Sequence, residues 1–267
     1  MNEGSQPSRP AWRDALEGLG LALQFLTRLP VPMQCDWNLA TRRWATTAYP
    51  LVGLIIGLLL WGASVLLSAL PEPLLALVLV SLWVAISGGL HLDGLMDLAD
   101  ALGSNTSLDR RWQIMKDPQV GSFAILALVF HLVWKLALVW TLLVWTFQAG
   151  ASPIWLLAIP ALARFMAVVL LVRVPAARSG GLAYGWQQGL GWNDLVRAAI
   201  LPLVLCLGGG GVGVLMVVAG LVFVVGFAYG ARRLFNGING DMLGAAIEGG
   251  ELWLMVCVSS WWWFAMA

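Results

Sequence analysis

The stretch Tyr49-Pro50-Leu51-Val52-Gly53-Leu54-Ile55-Ile56-Gly57-Leu58-Leu59-Leu60-Trp61-Gly62-Ala63-Ser64-Val65-Leu66-Leu67-Ser68-Ala69-Leu70, then Pro71-Glu72-Pro73 and a second apolar run over Leu74–Leu92, decides what kind of molecule this is. A helix needs about 20 mostly apolar residues to cross the hydrocarbon of a bilayer. Tyr49–Leu70 meets that without a charged side chain, and the Pro-Glu-Pro turn leads directly into Leu74–Leu92. The same rule marks Ser122–Gln148 and Ile154–Val172. Ala198–Tyr229 is too long for one span and is divided in two by Gly208-Gly209-Gly210-Gly211, and Leu252–Ala267 makes a short last span ending in Trp261-Trp262-Trp263. The expectation is an all-α polytopic membrane protein with about seven crossings.

Composition agrees. Of 267 residues, 60% are hydrophobic and 11% charged, with a mean hydropathy of +0.83. A soluble domain carries roughly 25% charged residues, so there is too little charge here to cover a water-soluble globule, and the lipid bilayer is an implied partner. The formal net charge of +1 excludes nucleic acid as the main partner, because phosphate binding needs a basic stripe. Sixteen Trp residues suit the membrane interface, where amphipathic rings concentrate. Cys35, Cys206 and Cys257 lack CxxC or Cys/His spacing, so neither a disulfide framework nor a zinc site is expected. No cleavable signal peptide is expected either, since Gly18–Leu26 runs into Thr27-Arg28 without a small-residue cleavage site.

The basic residues orient the spans. Arg9, Arg13, Arg28, Arg42 and Arg43 precede the first; Arg110, Arg111 and Lys116 follow the second; Arg173, Arg178 and Arg197 follow the fourth; Arg232 and Arg233 follow the sixth. The alternate loops hold no Lys or Arg. Cytoplasmic loops collect these residues, which predicts a cytoplasmic N terminus and, with seven spans, a C terminus outside. Trp12–Leu29 places Leu16, Leu19, Leu23 and Leu26 at helical spacing, the pattern of an amphipathic helix lying on the inner interface. The chain thus reads as one membrane-embedded domain over 1–267: a flexible tail (1–10), an interfacial helix (12–29) and a transmembrane bundle (49–267) with cytoplasmic site loops.

With so few charges, the clustering of acids is informative. His91-Leu92-Asp93-Gly94-Leu95-Met96-Asp97-Leu98-Ala99-Asp100 carries three carboxylates at the cytoplasmic end of the second span. On a helix Asp93, Asp97 and Asp100 fall within roughly 60° of one another. They repel unless something positive lies between them, and hard oxygen ligands with room for water suit Mg²⁺ held by carboxylates and substrate phosphates. A second cluster lies in Asn239–Glu251, where Asp241 and Glu248 share a helix face with Glu251 nearby. Between the clusters, Lys116 can neutralise a phosphate oxygen and Asp117 can add a metal ligand. Arg164, inside a span, is costly in lipid, so its expected partner is a substrate phosphate or a carboxylate. Lys135 can snorkel or pair, and His91 and His131 read as interior or interface histidines. Together these groups suit phosphoryl or pyrophosphate chemistry, where positioning and charge neutralisation dominate.

Phe25-Leu26-Thr27-Arg28-Leu29-Pro30-Val31-Pro32, Gly89–Gly94 through Asp97 and Asp100, Met115-Lys116-Asp117 with Gly121, and Gly240-Asp241 with Gly244-Ala245 and Glu248 resemble, in this order, the motifs of the cobalamin synthase family, the adenosylcobinamide-GDP ribazoletransferases. The likeness runs from about residue 20 to 255. Ala163-Arg164 and Ala177-Arg178 with Gly181-Leu182 extend it, although Ala163 replaces the family's usual Ser and Ala176 its common Tyr. The resemblance implies transfer from adenosylcobinamide-GDP to α-ribazole or its 5′-phosphate. GMP is released and adenosylcobalamin or its 5′-phosphate is formed, with Mg²⁺ required, at a bacterial cytoplasmic (inner) membrane. On that basis Asp93, Asp97, Asp100 and Asp117 are the metal ligands. Asp93, Asp97, Asp241 and Glu248 are the catalytic acids, and Arg28, Lys116, Arg164, Arg178 and Glu251 meet the substrates. A second copy of the chain, or other corrinoid-pathway enzymes, comes into question as a partner.

Two enzyme patterns and one transporter pattern compete. CDP-alcohol phosphotransferases also use Asp-Gly-x-x with further aspartates but call for Ala-Arg next, where this chain has Asp97-Leu98. Polyprenyl transferases pair two Asp-rich motifs, which Gly240-Asp241 with Gly244-Ala245 does not resemble closely. An ion transporter would place its charges near the bilayer midplane, whereas these acids gather towards one face.

Overall fold

The computed structural model describes residues 10–266. The tail expected over residues 1–10, Arg9 included, lies outside the described residues except for Pro10, as does Ala267 at the end of the expected last span. Among the described residues there are eleven helices and no strand. The expected all-α membrane architecture is therefore present.

Helix α1 (Ala11–Leu26) matches the interfacial helix, although it stops before Leu29. Thr27 turns extended there, its hydroxyl donating to Leu23 O, and Pro30 lacks the N–H a further turn would need. Its face Gly18, Ala22 and Leu26 is buried against α2 (Leu39–Leu66), while Trp12 and Leu16 are exposed. The side chain of Asn38 caps α2 by accepting from Thr41 N at 3.0 Å.

The most buried span is α7 (Trp155–Arg173). It packs along α2 where Gly53 and Gly57 let the backbones touch: a Cβ on either would fall on the main chain at Pro160 or Leu156. Such contacts hold bundles together in lipid, where apolar burial between helices gives no drive.

Helix α3 (Glu72–Ser87) ends at Gly88 and Gly89, both left-handed with φ +65° and +72°, and α4 (Leu90–Gly103) leaves at 87°. Consecutive positive φ values strain any residue with a Cβ, so the glycine pair makes the elbow. The expected second span, Leu74–Leu92, therefore stops at the elbow and does not continue straight. After α5 (Leu108–Ile114) and α6 (Ser122–Gln148) come α7, the short α8 (Leu182–Gln187), α9 (Trp192–Gly208), α10 (Gly210–Phe235) and α11 (Gly240–Met266). The last turn of α9 lies against Gly213 of α10, where any Cβ would meet the Cys206 carbonyl.

Two expectations change. Five helices, α2, α6, α7, α10 and α11, are long and apolar enough to span, and the bent pair α3–α4 makes a sixth if counted as one. Seven crossings are not reached by length, because the 17 residues of α9 rise only about 25 Å against a hydrocarbon core of about 30 Å. Second, the final helix begins at Gly240, not near Leu252. Glu248 and Glu251 interrupt its apolar run, but both are buried and ion-paired, which lets the helix carry them.

Helix α4 crosses the first turns of α11 at Gly94, whose Cβ position is filled by the carbonyl of Asp241. Gly94→Ala should force the two helices apart, costing about 1–3 kcal/mol and lowering activity by displacing Asp241. Thermal unfolding in detergent checks this, and unchanged unfolding with unchanged turnover would show that the crossing has slack.

Candidate active site at the α4–α11 crossing

Asp241 stands in the first turn of α11, where an acid suits the positive end of the helix dipole. Asn239 fixes it: Oδ1 accepts from Met242 N at 2.9 Å, and Nδ2 donates to Asp241 Oδ2 at 2.7 Å. The crossing at Gly94 brings α4 against this turn, so Asp97 experiences the charges of Asp93, Asp241 and Asp100, and Asp241 that of Asp93. Acids from both sequence clusters thus meet at one place. Asp93 is exposed, and Asp97 and Asp241 are half-buried.

Asp100 has a different task. Its Oδ2 accepts from Gly121 N at 2.7 Å and its Oδ1 from Ala124 N at 2.9 Å. Both oxygens satisfy orphan N–H groups at the start of α6, which ties α4 to α6. Asp117 accepts from Gln119 N at 3.0 Å within an exposed turn and is not brought to the acids by any described contact.

Lys116, Arg178 and Asp241 line one cavity of about 270 Å³ together with Trp112 and Asn239. Arg178 is held 5.4 Å over the ring of Trp112, which packs edge-on against Phe235 at 5.4 Å. Its loop is tied to the segment before α11 by Ala177 N donating to Ile238 O at 2.9 Å and Ile238 N to Pro175 O at 3.0 Å. Two cations and a carboxylate thus face one water-accessible space. Arg28 lies on the neighbouring wall: its N–H donates to Ile86 O at 2.7 Å, its side chain covers Gly88 at the elbow, and it lines a second cavity that also reaches Asp241.

Glu248, Glu251 and Arg164 are elsewhere. Seven residues beyond Asp241, Glu248 lies about 10 Å deeper along the helix. There it accepts from Lys135 Nζ at 2.8 Å and pairs with His131 Nε2 at 2.9 Å. Glu251 accepts from Lys135 Nζ at 2.7 Å, from Trp83 Nε1 at 3.2 Å and from Arg164. All five ionisable side chains are buried. Two acids balance two permanent cations, so the cluster is neutral, although Arg164 Nε and Nη2 find no hydrogen-bond partner. Glu248, expected as a catalytic acid, and Arg164 and Glu251, expected to meet substrate, are placed in this cluster, Lys135 bridging the two acids and Arg164 pairing with Glu251, and none of the three lines either cavity. Of the two partners expected for Arg164, the carboxylate is the one found. Lys135, read from the sequence as able to snorkel or pair, is paired. Its signal was spacing, since His131 and Lys135 are one helical turn apart, as are Glu248 and Glu251.

Among the described residues, no three His, Cys, Asp or Glu side chains converge closely enough to hold one ion. These residues by themselves form no closed, all-protein metal cage. That arrangement fits Mg²⁺, which keeps several waters and is bound through one or two carboxylates plus substrate phosphates. Asp93, Asp97 and the Oδ1 of Asp241 supply hard oxygen atoms for such an open site, whereas Asp241 Oδ2 accepts from Asn239 and both oxygens of Asp100 are engaged.

Comparison with known proteins gives the family. The family model described as cobalamin-5-phosphate synthase matches residues 18–259. A protein of Geobacillus thermodenitrificans named adenosylcobinamide-GDP ribazoletransferase is 40% identical over 256 residues, covering 91% of this chain and 96% of its own. A protein of the same name from Pseudomonas paraeruginosa is 39% identical over 251 residues, covering 92% and 99%. No solved structure matches the chain. With the family model spanning both acid clusters and the cations between them, the chain belongs to the cobalamin-5-phosphate synthase family.

Proposed function

We propose that this chain joins adenosylcobinamide-GDP to α-ribazole or its 5′-phosphate, the reaction for which its relatives are named, as a Mg²⁺-dependent phosphotransferase. The observation that carries the reading is the cavity where Asp241, electrostatically coupled to Asp93 and Asp97, faces Lys116 and Arg178. Phosphoryl transfer asks for that pairing: cations for the diphosphate, and carboxylates for a metal and a proton.

Lys116 and Arg178 hold the donor diphosphate, and the guanidinium supplies a planar fork for its oxygens. Asp241 orients the acceptor's ribose hydroxyl and takes its proton. The hydroxyl oxygen forms a bond to the phosphorus attached to the cobinamide, and the bond from that phosphorus to the bridging oxygen breaks. GMP leaves with the electron pair, its charge met by the same cations. Mg²⁺, when held by Asp93 and Asp97 against the diphosphate, supplies further charge neutralisation.

The same reading places the cavity on the cytoplasmic side. Basic loops far apart in sequence meet at its end of the bundle, with Arg232 donating to Arg173 O, Arg111 to Leu234 O at 3.1 Å, and Arg178 lying over Trp112. Retention beside other corrinoid-pathway enzymes belongs to the proposal too, and co-purification from native membranes tests it.

The deciding experiment supplies the detergent-purified protein with adenosylcobinamide-GDP and α-ribazole 5′-phosphate. GMP release with formation of a complete cobamide is expected, lost in EDTA and restored by Mg²⁺. A folded preparation that releases no GMP with any divalent metal overturns the reading.

A further inference from the structure

The second cavity, of about 310 Å³, lies beside the first between the end of α1, α2, α4, α7 and α11. Leu182, Gly240 and Asp241 line both. Asp241 is the one acidic residue on either lining, so the two spaces meet at a single carboxylate.

Their chemistry differs. The first cavity presents Lys116 and Arg178. The second is walled mainly by apolar groups, including Phe25 and Tyr49, whose rings stack at 6.4 Å and are backed by Trp186 at 5.0 and 5.8 Å. Its polar groups come from Gln24, Arg28, Tyr49, His91 and Asp241. The amide of Gln24 already donates to Val31 O at 3.1 Å and Met33 O at 2.7 Å. His91, only 4% exposed, lines the cavity, and its Nδ1 has no hydrogen-bond partner. A buried ring nitrogen without a partner is destabilising, and a small turn of the ring towards the cavity would let a ligand there supply one. Arg28 is exposed and remains available to an anionic group.

We infer that this cavity seats the aromatic base of the ribonucleoside acceptor, with His91 as the partner of a ring nitrogen and Phe25 and Tyr49 packed against the ring. The inference rests on the proposed transfer and deepens it. A base seated here points its ribose towards Asp241, and Arg28 meets a 5′-phosphate on that ribose. The donor's diphosphate occupies the cation-lined space on the other side of Asp241. A base with one free ring nitrogen needs the single partner that His91 offers.

The test uses the full chain in detergent. In Phe25→Ala and His91→Gln, KM for α-ribazole 5′-phosphate should rise about tenfold, while KM for adenosylcobinamide-GDP stays within about twofold. Calorimetric binding of free α-ribazole, measured without donor, should weaken in the same proportion, and this readout does not depend on turnover. If Phe25→Ala does not fold, Phe25→Leu keeps an apolar side chain but removes the ring, and a rise of about threefold is expected. A rise in donor KM with acceptor binding unchanged would put the donor's base in this cavity and overturn the assignment, as would unaltered binding in the folded variants. If wild type binds α-ribazole through these residues but releases no GMP, the reaction reading fails while the cavity assignment stands.

Discussion

Asp241→Asn is expected to lower single-turnover GMP release by about 10²–10⁴-fold while leaving the fold intact. The amide has nearly the shape of the carboxylate, and its oxygen can still accept from Asn239 Nδ2, so the first turn of α11 survives. What disappears is the basic oxygen at the junction of the two cavities. The stability effect has a definite sign. Asp97 and Asp241 lie in the field of other acids, so removing one charge relieves repulsion, and thermal unfolding should hold or rise. Active-site groups that destabilise the resting fold behave in this way. Asp93→Asn and Asp97→Asn should also lose most turnover, but excess Mg²⁺ should restore part of it if these residues hold the metal. No such rescue is expected for Asp241→Asn. Near-normal release from Asp241→Asn would remove this carboxylate from the reaction.

Lys135→Met is expected to destabilise the protein by about 3–5 kcal/mol, the cost of leaving a buried charge without its partner. Glu251 would keep Arg164 and Glu248 only His131, leaving an uncompensated negative charge inside the bundle. Lys135 also sits 4.5 Å from the ring centroid of Trp83, so the substitution loses that contact as well. The double variant Lys135→Met with Glu248→Gln restores neutrality and should recover most of the loss. Equilibrium unfolding in detergent measures both. Equal destabilisation in the single and double variants would show that the cluster contributes by packing and not by charge. Because the cluster joins α6, α7 and α3 to α11, activity should fall with stability in Lys135→Met and return in the double variant.

Helical periodicity encodes angle but not depth. Asp241 and Glu248 do share a face of one helix, as their spacing implies, yet the helix descends into the bundle between them. One acid is left at the cavities and the other deep among cations. The same limit applies to α4. Asp93, Asp97 and Asp100 form one stripe, but Asp100 is at its far end, within reach of the α6 N terminus 21 residues later. Apolar run length located the long spans, because lipid imposes that length directly. It could not show the elbow at Gly88 and Gly89, where two left-handed residues end a run that hydropathy alone would continue. The partner of Arg164 was narrowed to a carboxylate or a phosphate. The choice of Glu251, 87 residues away, depends on how α7 and α11 pack, which no local pattern encodes.

The size of the two cavities, about 270 and 310 Å³, bears on what the enzyme can tell apart. Neither space can enclose a corrin macrocycle with its side chains and upper ligand. In the proposed reaction only the donor's diphosphate end and the acceptor's base and ribose enter the protein, and the bulk of the corrinoid stays outside. On that proposal selectivity would reside in the handle and not in the cargo: changes to the corrin periphery would go largely unread, and discrimination among acceptors would fall to the walls of one small pocket.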